Sequence, residues 1–107
     1  MTGAFDLATT VQRVESADGP ARFDAEVAPG WDIVGNANGG YLLALAARAM
    51  ADVAERPPLT VTAHYLAPCP AGPCHVDVTV IRSGRRLATL RAGLWQGDRQ
   101  ILEVLGT

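Results

Sequence analysis

Strong charge of either sign is missing from this sequence of 107 residues. Charged side chains make up 19% of it, and the net charge is −2. Proteins that bind nucleic acid through the phosphate backbone need a broad basic surface, and nothing in this composition supplies one. We therefore expect no nucleic-acid partner.

Hydrophobic runs of the length that a membrane requires are also missing. The longest apolar stretch, residues 39–54, is interrupted by Arg48 and Asp52, whereas a membrane-spanning helix needs about 20 apolar residues. The amino terminus has no charged segment followed by an apolar run, so no signal peptide is expected. The cytoplasm is the default location, and no membrane partner is predicted.

Cysteine is scarce, with only Cys69 and Cys74 in the chain. His64 and His75 lie close to them in sequence, and a zinc site can be drawn from these four residues. Zinc usually favours tighter ligand pairs, whereas this spacing spreads the ligands over two strands and a proline-rich turn. Two free thiols or a facultative disulfide are favoured, and neither a metal nor a cofactor is predicted.

The most informative segment is a polar loop that opens into an apolar helix. The loop contains Asn36 and Asn38, either of which can cap a helix, and the paired glycines Gly39 and Gly40 follow. The helix is predicted from Gly39 to about Ala54, where two prolines stop it. Its apolar character on nearly every side predicts that protein surrounds it. Unpaired N–H groups in its first turn suit a carbonyl oxygen that becomes an oxyanion, or a phosphate.

Strand patterns account for most of the remaining sequence. Alternating or β-branched residues predict strands at 22–27, 59–66, 76–81, 87–96 and 101–105. Turns are expected at Ser83-Gly84 and Gly97-Asp98, so the last three strands should form a meander. Residues 5–14 fit a further strand or a short helix. In the strand at 76–81, Val76, Val78 and Val80 should share a buried face.

One antiparallel sheet curled around one helix satisfies this order of elements. The predicted class is α+β, with a single domain over residues 1–107, because 49% of the residues are hydrophobic and can build a modest core. Such a sheet leaves edge strands exposed, and exposed edges are usually paired or covered. We therefore expect a partner.

Several motifs together carry a family resemblance. They are Trp31, Asn38-Gly39-Gly40-Tyr41, the segment Thr62–Pro68, the segment Arg82–Arg86, and Gln96. In this order they resemble the N-terminal half of acyl-CoA thioesterase II-like proteins, which have the hotdog fold, a curled antiparallel sheet wrapped around one long apolar helix. Those proteins usually contain two fused hotdog modules, and this chain has the length of one. The resemblance implies pairing, as a homodimer or with a second hotdog module.

The resemblance also implies the reaction, hydrolysis of a fatty acyl-CoA with the acyl chain beside the core helix. Asn38, Gly39 and Gly40 would form the carbonyl site. A water-activating group is harder to find, because residues 43–47 contain no carboxylate. In the fused family an Asp, Thr and Gln set lies mainly in the second half, and Gln96 is only an analogue of that glutamine. Asp32 is the carboxylate just before the glycine turn and is a candidate base, although a loop aspartate is more often solvated.

Substrate contacts are assigned to a second group of residues. Tyr41 completes the glycine motif, and His64 would hold substrate or orient water from a strand that faces the helix, although a histidine with a purely structural role is the simpler interpretation. The phosphates of CoA are assigned to arginines that bracket a predicted hairpin, although charged hairpin ends also serve solubility alone; these arginines are Arg82, Arg85 and Arg86.

Two functions from different classes remain. The first is a thioesterase that is active only when a second module or a symmetric partner completes the site. The second is a non-catalytic hotdog module that binds acyl-CoA or only assembles. A hydratase of the same fold would need an Asp and His pair near the helix start, and Asp32 has no histidine within the next thirty residues.

Overall fold

The computed structural model describes residues 8–14, 20–30, 32–33, 36–37, 39–56 and 58–107, with only the backbone of 32–33 and 36–37. Its elements follow the chain in an order that places two hairpin-like segments before the helix and a meander after it. They are β1 (Val11–Val14), β2 (Ala21–Val27), β3 (Asp32–Ile33), β4 (Asn36–Ala37), α1 (Gly39–Ala54), β5 (Val61–Tyr65), β6 (Gly72–Ser83), β7 (Ala88–Gln96) and β8 (Arg99–Gly106).

The helix α1 has the predicted bounds. It ends where Glu55 adopts a left-handed φ of 58°, the conformation that commonly terminates helices at this position. Asn38 lies outside the described residues, so its role as a helix cap stays a prediction. Asn36 lies instead in β4, paired with Ile33, so the alternative that Asn36 caps the helix is wrong.

Six strands form one antiparallel sheet in the order β1, β2, β6, β7, β8, β5. The predicted meander of β6, β7 and β8 is confirmed, and Gly97 turns between the last two with a φ of 59°. In the segment 5–14, Val11–Val14 forms the strand β1, and residues 5–7 lie outside the described residues. Within the part of the chain that the structure describes, the sheet ends at β1 on one side and at β5 on the other, as the predicted edges require.

The hydrophobic core lies between the sheet and α1. Consecutive strands place one side chain each in a row across the inner face, and the members nearest the centre are fully buried; this inner row is Phe23, Val76, Leu94, Leu102 and Tyr65. The helix covers that face with side chains that recur on one side of it, namely Tyr41, Leu42, Leu45, Ala46, Ala49 and Met50.

Two expectations about burial are wrong. Arg48 and Asp52 are exposed, and Leu43 is only partly buried, because a single sheet covers one face of α1 and leaves the other toward solvent. Val80 pairs in register with the buried Leu90 but is 47% exposed, because the pairing of β2 with β6 ends at Ala21 and Val78 and leaves Val80, within the described residues, without a neighbouring strand on that side.

Among the described residues, no helix combines the length and the hydropathy that crossing a membrane would require. Both cysteines are free and buried. Burial raises the pKa of the Cys69 thiol, and it raises that of Cys74 to about 12, with smaller contributions from Cys69, Glu26 and Asp24.

Candidate active site

The start of α1 is the centre of the candidate site. Gly40 is exposed and Gly39 is partly buried, and the first N–H groups of a helix have no partner within it. The helix dipole adds partial positive charge at the same place. This end of α1 can therefore stabilise negative charge that develops on a carbonyl oxygen.

The short ribbon of β3 and β4 leads the chain into the helix. Its register pairs Asp32 with Ala37, and Ala37 precedes Gly39 by two residues. The backbone of Asp32 therefore lies beside the entry to α1, where a candidate base would be needed. Its side chain and Asn38 are outside the described residues, and the roles assigned to both stay predictions.

Tyr65 is a site residue that the sequence reasoning missed. It is the last residue of β5, and its hydroxyl donates a hydrogen bond of 2.7 Å to the carbonyl oxygen of Gly39. The side chain is 51% exposed, so it forms one wall of the open surface at the helix start. The only signal in the sequence was its place in the segment Thr62–Pro68, which the resemblance singled out without assigning a role to the tyrosine.

Tyr41 serves the packing of the helix start. Its side chain is 1% exposed, and its hydroxyl accepts a 2.9 Å hydrogen bond from the Ala28 N–H and donates to the carbonyl oxygens of Ala8, at 2.7 Å, and Glu26, at 3.2 Å. Burial raises its pKa, and the Ala28 N–H opposes that shift. The phenol is thus engaged with the backbone around it, which leaves the predicted contact with substrate to the surface residues.

His64 does not face the helix, contrary to expectation. Successive residues of a strand point to opposite faces, and its neighbour Tyr65 reaches α1. His64 lies in a row across the outer face with Glu103, Gly93, Asp77 and Arg22, where Arg22 pairs with Asp77 at 2.9 Å. The exposed imidazole of His64 is therefore on the side of the sheet away from Gly39 and Gly40.

Gln96 lies at the same end of the sheet as the helix start. It ends β7, two residues beyond Leu94, which belongs to the inner row that Tyr65 completes. Its side-chain amide donates a 2.8 Å hydrogen bond to the carbonyl oxygen of Pro70. Gln96 is thus held in place by the loop that precedes β6, and its role in orienting water stays a prediction.

The three arginines of the phosphate assignment lie at the opposite end of the molecule. The hairpin between β6 and β7 carries Arg82, Arg85 and Arg86, all exposed, and it is held by Arg56, whose guanidinium donates to the Arg86 carbonyl oxygen at 2.9 Å. A small cleft that opens to solvent, with a cavity volume of about 30 Å³, lies between this hairpin and the end of α1 near Met50. A helix of 16 residues is about 24 Å long, so one chain does not bring these arginines to Gly40.

Comparisons with known proteins identify the family and the fold. A family model described as the acyl-CoA thioesterase N-terminal domain matches residues 17–107. A protein named as a candidate thioesterase II from Thermobifida fusca has the same fold, with a TM-score of 0.90 and 29% identity over 98% of this chain. This chain spans 38% of the length of that one. A comparison with curated protein sequences finds no match.

Two further structures extend the likeness. One is a mutant of the phenylacetic acid degradation protein PaaI from Thermus thermophilus, with 28% sequence identity and a TM-score of 0.75. The match covers 92% of this chain and 91% of the PaaI chain. A hypothetical thioesterase from Streptococcus pneumoniae, solved with coenzyme A, shares the fold at 18% identity, with a TM-score of 0.82. That match covers 96% of this chain and 87% of the other. These neighbours define a hotdog-type thioesterase fold. The chain belongs to the acyl-CoA thioesterase N-terminal domain family.

Proposed function

We propose that this chain is one module of a cytoplasmic enzyme that hydrolyses fatty acyl-CoA thioesters. The observation that carries the proposal is the exposed start of α1 at Gly39 and Gly40, beside the open edge strand β5, in a member of a thioesterase family. A thioester carbonyl oxygen at the Gly40 N–H would gain negative charge when water attacks. The carbon–sulfur bond then breaks, and the products are a fatty acid and the CoA thiol.

Pairing through β5 supplies what one chain lacks. A two-fold related copy would place its β5 antiparallel to this one, so the partner's arginine hairpin would approach this chain's helix start. The reason is that β5 begins beside Gly106, near the end of α1, and ends with Tyr65 at Gly39. The partner's copies of Arg82, Arg85 and Arg86 would then contact the phosphates of a CoA bound across the interface. The proposed ligand is therefore acyl-CoA, and the proposed partner is a second copy of this chain or a second hotdog module.

The second candidate function is a non-catalytic module that binds acyl-CoA. One observation favours it: the first turn of α1 contains no acidic residue, so that turn offers no carboxylate to activate water. General base catalysis typically contributes about 10²- to 10⁴-fold to a rate. Binding without brisk turnover when a second hotdog module or a symmetric partner is present distinguishes this function from the first.

The test of the shared site is a substitution in the first turn. Gly40→Val adds a β-branched side chain where the thioester would approach, and we expect binding of octanoyl-CoA, measured by calorimetry, to weaken by about tenfold or more, equivalent to about 1.4 kcal/mol. Ala51→Val makes a matched addition about three turns further along α1 and should leave binding unchanged. Equal affinity of the Gly40→Val variant and the wild type would place the carbonyl elsewhere.

A further inference from the structure

Tyr65 is the last member of the inner row of the sheet, and it differs from the other members in its exposure and in its hydrogen bond. Phe23, Val76, Leu94 and Leu102 are buried in the core, whereas Tyr65 lies at the edge and extends its hydroxyl to the carbonyl oxygen of Gly39, 2.7 Å away. An edge strand and a helix start are thereby joined through one exposed phenol.

The ring of Tyr65 also fills the space beside Gly39. A Cβ atom at Gly39 would lie 2.9 Å from Cζ, 3.0 Å from Cε1 and 3.1 Å from the hydroxyl oxygen of Tyr65. Real Cβ atoms almost never approach other atoms so closely, so the contact requires glycine at this position. The aromatic ring thus packs directly on the Gly39 backbone, with its hydroxyl at the carbonyl oxygen.

The hydrogen bond acts on the peptide group that the proposed site uses. The carbonyl of Gly39 and the N–H of Gly40 belong to the same planar peptide unit. Donation to that carbonyl polarises the unit, and hydrogen bonds in such a chain strengthen one another. It also limits rotation of a Gly-Gly segment, which has more conformational freedom than any other pair of residues.

We propose that Tyr65 is the positioning residue of the carbonyl site, orienting and polarising the Gly39–Gly40 peptide so that the Gly40 N–H binds a thioester carbonyl oxygen. This inference rests on the proposed function. Tyr65 acts through the peptide and does not contact the reacting carbon. Its conservative replacement is Tyr65→Phe, which keeps the ring packed on Gly39 and removes only the donor.

The experiment compares the wild type with Tyr65→Phe in two NMR measurements. In the ligand-free protein we expect the Gly40 amide proton resonance to move upfield in the variant, because its peptide is less polarised. With octanoyl-CoA labelled with ¹³C at the thioester carbonyl, we expect the carbonyl resonance of the bound ligand to return toward its free value. Affinity should fall roughly two- to tenfold, the effect of one lost hydrogen bond. Thr79→Ala removes an exposed hydroxyl on the outer face of β6, where Thr79 pairs with Arg91, and should change none of these values.

The outcomes separate the two proposals. If the wild-type protein leaves the ¹³C resonance of the labelled carbonyl at its value in free octanoyl-CoA, the proposed function is overturned, and the role of Tyr65 with it. A wild-type carbonyl shift that Tyr65→Phe preserves, with the Gly40 amide also unmoved, would overturn the role of Tyr65 alone. Loss of both signals in Tyr65→Phe, with the backbone resonances of β7 and β8 unchanged, supports it and excludes a general loss of structure.

Discussion

The hydroxyl of Tyr41 accepts a 2.9 Å hydrogen bond from the backbone N–H of Ala28. Because the same hydroxyl donates to the Ala8 carbonyl oxygen at 2.7 Å, one phenol joins the segment before β1, the end of β2 and the first turn of α1. The three segments are distant in sequence, and their meeting point is buried. Tyr41 thus fixes where the helix starts relative to the sheet.

Removing that hydroxyl should destabilise the protein. In Tyr41→Phe the partly buried Ala28 N–H loses its acceptor, and leaving a buried group unsatisfied costs about 1–3 kcal/mol. The free energy of unfolding, measured by urea titration, should fall by that amount. Tyr65→Phe is the matched control, because the Tyr65 side chain is 51% exposed and water replaces its partner. Equal stability of the Tyr41→Phe variant and the wild type would show that water reaches Ala28.

Gly39 should tolerate alanine only when Tyr65 is truncated. Gly39→Ala alone drives its Cβ against the phenol ring, so we expect lower stability. In a Tyr65→Ala background the space is open, and alanine is the better helix former by about 1 kcal/mol. A double-mutant cycle measures the coupling directly. Additive effects of the two substitutions would contradict the contact.

Pairing through β5 predicts the behaviour of charged edge variants. The wild type should sediment as a dimer at micromolar concentration, with an interface that buries more than about 1,000 Å² of surface. Lysines at Val61 and Leu66, which are 36% and 56% exposed, should shift it to monomer, because charge on an edge strand opposes pairing. Lysines at Thr10 and Gln12, on the side of the opposite edge, form the matched control. A monomeric wild type would count against the dimer.

Catalysis by this chain alone should be weak or absent. A thiol-release assay with short, medium and long acyl-CoAs measures it, with Asp32→Asn and Gln96→Ala beside the wild type. The N–H donors without a base should leave a rate lower by about 10²- to 10⁴-fold than that of a complete site. Brisk turnover that Asp32→Asn abolishes would make Asp32 the base. Brisk turnover lost only in Gln96→Ala would place the water at the end of β7.

Cys74 should react slowly in the folded protein. With a pKa of about 12, roughly one ten-thousandth of the thiol is ionised at pH 8, about a thousandfold less than for an ordinary thiol. Mass spectrometry after iodoacetamide treatment should show alkylation of Cys74 only after unfolding in urea. Native alkylation at the unfolded rate would show that the start of β6, where Cys74 pairs with Ala25, opens readily.

The same raised pKa predicts a pH dependence of stability. The folded state keeps the Cys74 proton above the ordinary thiol pKa of 9.0, whereas the unfolded state releases it. The unfolded state therefore binds fewer protons from about pH 9 to 12, and stability falls as pH rises through that range. Cys74→Ala should flatten this part of the profile, measured by urea titration at each pH.

Local patterns in the sequence determined the secondary structure. The helix at Gly39–Ala54 followed from the glycine turn, the apolar run and the prolines after it, because each acts on its own neighbours. The meander of β6, β7 and β8 followed from alternation and from Gly97, and the hotdog fold followed from the motif resemblance. The helix and the meander depend on residues that are close together in the chain, whereas the resemblance uses motifs spread from Trp31 to Gln96.

The tertiary structure alone decided which distant residues meet. Strand order places β5 beside β8 at the edge, and only that order brings Tyr65 to Gly39, 26 residues away. The face of β5 on which His64 lies, and the distance of Arg86 from the helix start, also depend on pairing between strands. Alternation shows that a strand has two faces, but the register with its neighbour decides which one the helix covers.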